Sequence, residues 1–184
     1  HYLAPVIVAL VAPTLLGEPR SRRIPVALAL ALVGTAVLVW RGEGQGGSPG
    51  RAVALGAASA IFYAGNVILA KLASRRFGNI ELFVYHALVA AAVRAPVTGL
   101  PHAPVEWIVP SVGALVSGLF AGSIYYAGLR RISAERAGVL TYVEPVAAVL
   151  VGWAVLAERP QASAALGGLL VLVGGLLVVI DGEP

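Results

Sequence analysis

A single carboxylate, Glu144, stands inside the stretch TYVEPVAAVLVGW and is followed at once by Pro145. Counted from the start of its apolar run it sits ~11 Å along a helix, too deep for a short stem to reach the interface. Ionised in hydrocarbon it would cost roughly 2.5 kcal/mol or more unless paired, wetted or protonated. Two chemistries fit that position. One is a proton-titrating or substrate-facing carboxylate in a polar cavity; the other is a neutral, hydrogen-bonded strut between helices. Pro145 has no N–H and its ring crowds the Thr141 carbonyl, so the helix is predicted to kink there.

Depth along the neighbouring runs suggests which groups could meet Glu144. Asn66, His86 and Ser123 each lie about six residues from the arginine-rich end of their runs, with Tyr63, Tyr125, Tyr126, Thr141 and Tyr142 near them in depth. Together they would form one polar layer in an otherwise dry protein. Each also has a plainer reading: a buried histidine is commonly a hydrogen-bonded packing residue, and tyrosines at helix ends anchor at interfaces. Arg94 is the one basic residue inside an apolar run. It could hold a carboxylate or phosphate bidentately, or snorkel outward from a helix that breaks near Pro96. Glu18 and Glu158 precede apolar runs and read as turn residues favoured by a helix dipole.

These residues depend on the elements that carry them. The chain of 184 residues is 59% hydrophobic and 12% charged, with a mean hydropathy of +0.88, well beyond ordinary soluble composition. Charges cluster between seven apolar segments: 1–16, 24–40, 52–72, 80–100, 108–129, 137–157 and 163–180. Runs of roughly 20 residues match a hydrocarbon core of ~30 Å, and lipid forces each run to satisfy its own backbone as a helix. The predicted class is therefore an all-α membrane protein with seven transmembrane helices. Asn79 and Ser133 read as N-caps, with Glu81 and Glu135 in the first turns that follow. Small-residue stripes, such as Ala114, Gly118 and Gly122 or Gly167, Gly168, Gly174 and Gly175, mark packing seams.

Arginine and lysine are distributed unevenly. The loops holding Arg20, Arg22 and Arg23, then Lys71, Arg75 and Arg76, then Arg130, Arg131 and Arg136 alternate with loops holding only Arg41, Arg51 and Arg159. The positive-inside rule puts the first set, and the C-terminus, on the cytoplasmic side. Several functions are excluded. Without cysteine there is no thiolate metal site or disulfide, and no metal-ligand cluster, HExxH, Gly-x-Ser-x-Gly or phosphate-binding loop appears. No cofactor is expected, and scattered basic pairs without a recognised module argue against nucleic acid.

Residues 1–44 align without gaps on 141–184. Identities include Tyr2/Tyr142, Pro5/Pro145, Val6/Val146, Leu10/Leu150, Glu18/Glu158, Gly34/Gly174, Gly42/Gly182 and Glu43/Glu183. Apolar bias alone would not align Tyr, Pro, Gly and two Glu in one frame. An odd number of helices separates the copies, so they are inverted, which is how many secondary transporters are built. Pro5 should then bend its helix as Pro145 does. Glu144 has no counterpart, since its matched position is Ala4.

The run YYAGLRRISAERAGVLTYVEPVAAVLVGWAVLAERPQASAALGGLLVLVGGLLVV, residues 125–179, resembles the second repeat of EamA-like transporters in the drug/metabolite transporter superfamily. The resemblance rests on the Tyr-rich helix end, the RIS-A turn, the EP-centred helix, the Ala-Glu-Arg turn and the Gly-rich last helix. It implies a ten-helix fold of two inverted five-helix repeats. Residues 1–41 would be the last two helices of the first repeat, its first one truncated; 42–51 the linker; 52–182 the second repeat. It further implies a multi-pass protein of a bacterial inner membrane that moves small metabolites or amino-acid-like solutes, with export as the direction. Candidate substrate or coupling residues are Glu144, Asn66, His86, Tyr63, Ser123, Thr141, Tyr142 and Arg94. The expected partners are a small-molecule substrate, the lipid bilayer, protons, the missing N-terminal helices and a second copy as a homodimer. Two other classes stay open: a non-transporting membrane fragment or subunit whose polar layer only packs helices, and an intramembrane enzyme using Glu144 as acid or base.

Overall fold

The computed structural model describes residues 2–39, 49–98 and 103–180. Most of the predicted linker 42–51, and the repeat identities Gly42/Gly182 and Glu43/Glu183, lie outside the described residues. Among those described the regular structure is helical: α1 (Ala4–Leu16), α2 (Ile24–Val39), α3 (Pro49–Ser74), α4 (Asn79–Thr98), α5 (Ile108–Gly113), α6 (Ala121–Arg131), α7 (Ala134–Leu140), α8 (Val143–Leu156) and α9 (Ala162–Ile180). A short 3₁₀ turn, Pro104–Trp107, leads into α5, and a π-helical stretch, Ala114–Phe120, joins α5 to α6.

Among the described residues, five spans are long and apolar enough to cross a membrane: Val53–Ser74, Asn79–Val97, Pro104–Arg131, Ala134–Leu156 and Ala162–Ile180. The first two apolar segments form shorter helices, so of the seven predicted transmembrane helices five are long enough to cross and two, Ala4–Leu16 and Ile24–Leu38, are shorter. The surface is what lipid demands. Phe62, Val97 and Val109 are about four-fifths exposed, while the interior holds Ala4, Ala12, Ala27, Ala31, Ala60, Ala64 and Ala134. Because hydrocarbon tails are as apolar as leucine, close backbone approach between small residues, rather than leucine burial, holds such helices together.

The chain divides into two compact units, one of residues 1–68 with 132–184, the other of residues 69–131. In the first, α1 packs Ala4, Val8, Ala12 and Leu16 against Ala60, Ala64, Val67 and Ile68 of α3 and Ala134 of α7. The most extensive helix pairing is α2 on α9. A β-carbon added at Gly34 would lie 2.6 Å from the Gly167 carbonyl oxygen, and one at Gly174 would lie 2.7 Å from that of Ala27. A shift of 140 residues turns Gly34 into Gly174 and Ala27 into Gly167, so these two close contacts are images of each other.

The same frame relates the ends of α1 and α8. Gly17 closes α1 in the left-handed region at φ 66°, and its image Ala157 closes α8 at φ 55°. An alanine there costs about 1–2 kcal/mol, of which glycine would return part, its own flexibility when unfolded taking back roughly 0.5–1. We expect Ala157→Gly to raise stability by about 0.5–1 kcal/mol in detergent thermal unfolding. Gly17→Ala should lower it similarly, since no neighbour lies within 4 Å of the added methyl group.

In the second unit, α4 meets the π-helical stretch where Phe83 covers Gly118 so closely that a β-carbon on the glycine would sit 2.5 Å from the ring. Two cations close its helix ends: Lys71 donates to the Leu129 carbonyl, and Arg130 donates to the Phe77 carbonyl. The Leu129 carbonyl lies in the last turn of α6, where positive charge is favoured.

Two local expectations need correction. Asn79 is not the cap of α4 but its first residue; the Glu81 carboxylate reaches back 2.7 Å to the N–H of Gly78 instead. That longer side chain satisfies the orphan donor, and the Asn79 side-chain oxygen is buried without a hydrogen-bond partner. Nor does α4 break near Pro96, which is carried in its last turn before Thr98. Its missing N–H costs the turn the bond to the Ala92 carbonyl, and the helix runs on to Thr98 all the same.

Candidate functional site

The run 137–157 forms two helices, α7 and α8, separated by a turn at Thr141 and Tyr142. Pro145 has no N–H to offer the Thr141 carbonyl across an α-helical turn. That carbonyl accepts instead from the Glu144 N–H at 3.0 Å, and the Tyr142 N–H bonds to Val139 at 3.1 Å, both tighter i to i+3 closures. Pro145 then falls in the first turn of α8, where a missing N–H leaves nothing unsatisfied. Pro5 occupies the corresponding first turn of α1.

Ser133 caps α7 by accepting from the Arg136 N–H at 3.4 Å, as its sequence position predicts. Two carboxylates add to this end of the unit. Glu18, in the α1–α2 turn, accepts from the Ala134 N–H at 2.7 Å, and Glu135 accepts from the Ser21 N–H at 3.1 Å. Glu18 therefore serves the start of α7 rather than that of α2. It also brings the turn with Arg20, Arg22 and Arg23 to the same end as Arg136. Glu18→Ala should lower stability by about 1 kcal/mol, the usual cost of a lost cap, readable as an earlier unfolding midpoint in detergent.

The α7–α8 turn opens onto a small cleft lined by Tyr2, Pro5, Tyr63, Thr141, Tyr142 and Glu144. Four elements supply it: the start of α1, the middle of α3, the turn itself and the first turn of α8, which carries Glu144. Glu144 is exposed and Tyr63 half-buried, and Tyr63 lies within electrostatic reach of the carboxylate. Tyr142 is buried, and its hydroxyl donates to the Tyr2 carbonyl at 2.6 Å. The Thr141 hydroxyl donates to the Gly138 carbonyl at 2.7 Å. Gly138 in turn is where α7 meets Pro5, 3.4 Å from an added β-carbon.

Of the sequence candidates, the cleft brings together Glu144, Tyr63, Thr141, Tyr142 and Pro5. Asn66, one turn beyond Tyr63 on α3, is exposed and is not among the lining residues. His86 and Arg94 are exposed on α4 and Ser123 is half-buried on α6, all in the second unit. Tyr2 is the lining residue that site reasoning passed over; its signal was present as the repeat image of Tyr142. Among the described residues no group of three His, Asp or Glu side chains is placed to hold a metal.

Residues 50–180, from α3 through α9, match the family model described as the EamA-like transporter family. The chain belongs to this family. It is thereby a member of the drug/metabolite transporter superfamily and, with its apolar spans, a multi-pass membrane protein. No curated protein and no solved structure matches the chain. The matched region of this EamA-like transporter contains Tyr63, Thr141, Tyr142 and Glu144, while Tyr2 and Pro5 come from the part before it.

Proposed function

We propose that the protein is a secondary transporter of a bacterial inner membrane, exporting small metabolites or amino-acid-like solutes by alternating access between inverted repeats. The observation that carries this reading is the discontinuous helix α7–α8, which sets the Glu144 carboxylate beside unwound backbone at a cleft. Transporters build substrate and coupling-ion sites from such helix breaks. The exchanged contacts Gly34 with Gly167 and Gly174 with Ala27 support the repeat reading. The clustering of Arg20, Arg22 and Arg23 with Arg136 at one end supports a cytoplasmic assignment of that end, and of the C-terminus with it. Protons are the coupling ion that a lone carboxylate at such depth suits best.

The sequence contains no cysteine, so a single cysteine can report access directly. In Thr141→Cys, a membrane-impermeant maleimide should label from either face of sealed vesicles, and saturating substrate should slow both reactions. Labelling confined to one face under every condition would overturn alternating access at this cleft.

A further inference from the structure

The cleft's hydrogen-bonding groups are not evenly available. Tyr142 and Thr141 carry hydroxyl donors, and both are turned into the protein onto the carbonyls of Tyr2 and Gly138. With those protons committed, what the two hydroxyls still offer is oxygen lone pairs. The Glu144 carboxylate is acceptor-only when ionised, and no arginine, lysine or histidine is among the lining residues. Tyr2 and Tyr63 add aromatic surface beside it. An anion entering this cleft would meet a like charge and, at Tyr142 and Thr141, donors already committed. A cationic nitrogen would meet a carboxylate and tyrosine rings, whose faces attract cations.

We infer that the cleft receives the ammonium head of a monovalent organic cation, such as an arylalkylamine, held by Glu144 with Tyr63 beside it. The inference rests on the transport reading above and narrows its substrate class, from amino-acid-like solutes in general to those presenting a free cationic amine. The cleft is small and receives a head group; the remainder of the solute extends beyond it. Arg94, the one basic residue inside an apolar run, belongs to the second unit and is not among the lining residues.

The test is equilibrium binding of three probes of one shape, phenethylammonium, 3-phenylpropionamide and 3-phenylpropionate, to the protein in liposomes of zwitterionic lipid. Phenethylammonium should bind at least about tenfold more tightly than the neutral amide, and the carboxylate more weakly than either. In Glu144→Gln the ammonium probe should fall to the level of the amide, while Glu144→Asp should keep the preference for positive charge. Equal or tighter binding of phenylpropionate, no ammonium binding up to roughly 10 mM, or unchanged ammonium affinity in a folded Glu144→Gln protein would each overturn the proposal. The wild-type comparison needs no variant, so a misfolded mutant cannot shield it. Binding and transport fail separately. Ammonium binding without flux would leave the site assignment standing and overturn the transport reading. Flux of an anionic solute with two-sided labelling at position 141 would do the reverse.

Discussion

Gly167→Ala should destabilise the protein, whereas Gly168→Ala, one residue further along α9, should leave it as stable or more so. Both changes gain the same helix propensity, about 1 kcal/mol for glycine to alanine. They differ in what the new methyl group meets. At Gly167 it would lie 2.5 Å from the Gly34 carbonyl oxygen and 2.6 Å from the Leu38 nitrogen. These are backbone atoms of a packed helix, so no rotamer change relieves the clash, and α2 and α9 must separate. Overpacking of this kind costs about 1–3 kcal/mol and sometimes more, and separation also forfeits the close contacts on which a membrane helix pair depends. At Gly168 the nearest atom is a Val146 methyl carbon at 3.8 Å, an ordinary contact. A net loss of about 2 kcal/mol for Gly167→Ala corresponds to roughly 4–8 °C in detergent thermal unfolding. Gly34→Ala should behave like Gly167→Ala, and the double variant should cost less than the sum, since both insert into one contact. Equal midpoints for Gly167→Ala and Gly168→Ala would refute the seam.

For Glu144→Gln the expected result is a split: transport falls at least about tenfold, while the unfolding midpoint holds or rises. A carboxylate at membrane depth is costly, on the order of 2–3 kcal/mol when ionised, and glutamine removes that cost while keeping shape and one acceptor. Stability should therefore not suffer if the carboxylate is there for function. A structural strut would give the opposite pattern, with a lower midpoint and activity lost only in proportion to folded protein. The measurement pairs flux in proteoliposomes with thermal unfolding of the same preparation. Retained flux in a fully folded Glu144→Gln protein would remove any direct role for this carboxylate. Tyr142→Phe is the informative partner. It leaves the carboxylate in place and removes the hydroxyl bond to Tyr2, so it should loosen the α1–α7 junction without altering the preference for charge.

The helices were legible because lipid leaves the backbone no other way to satisfy itself, and the apolar runs fixed their ends to within a few residues. Ser133 could be read as a cap because its serine and the carboxylate two residues on are local signals. Asn79 misled because the helix begins one residue earlier than a cap there would allow: Asn79 is its first residue, and Glu81 reaches back to the N–H of Gly78. The π-helical turn was invisible in sequence; Gly118 reads as a packing glycine whether or not Phe83 lies over it. For the cleft, the depth of Glu144 and the proline beside it pointed to the turn that opens onto it. What sequence could not supply was the direction in which each hydroxyl points. Tyr142 and Thr141 look like ligand donors on paper, and only their partners, Tyr2 and Gly138, show that those protons are already used. Tyr2 was missed because depth along a run was the sole ruler, and its own run begins beside it.

The pairing of α2 with α9 also has a consequence for the order in which the molecule is made. Ala27, Ala31 and Gly34 of α2 leave the ribosome before the glycines that receive them, Gly167 and Gly174 of α9, with every element from α3 to α8 made in between. Through insertion of every helix between, α2 must wait in the bilayer with its narrow face covered only by lipid. The Thr35 hydroxyl beside that face, buried without a hydrogen-bond partner, waits with it. Closure of this pair therefore follows insertion of every element between them. A chain cut short before α9 would leave α2 inserted without the seam it packs on, the form a membrane quality-control protease would find first.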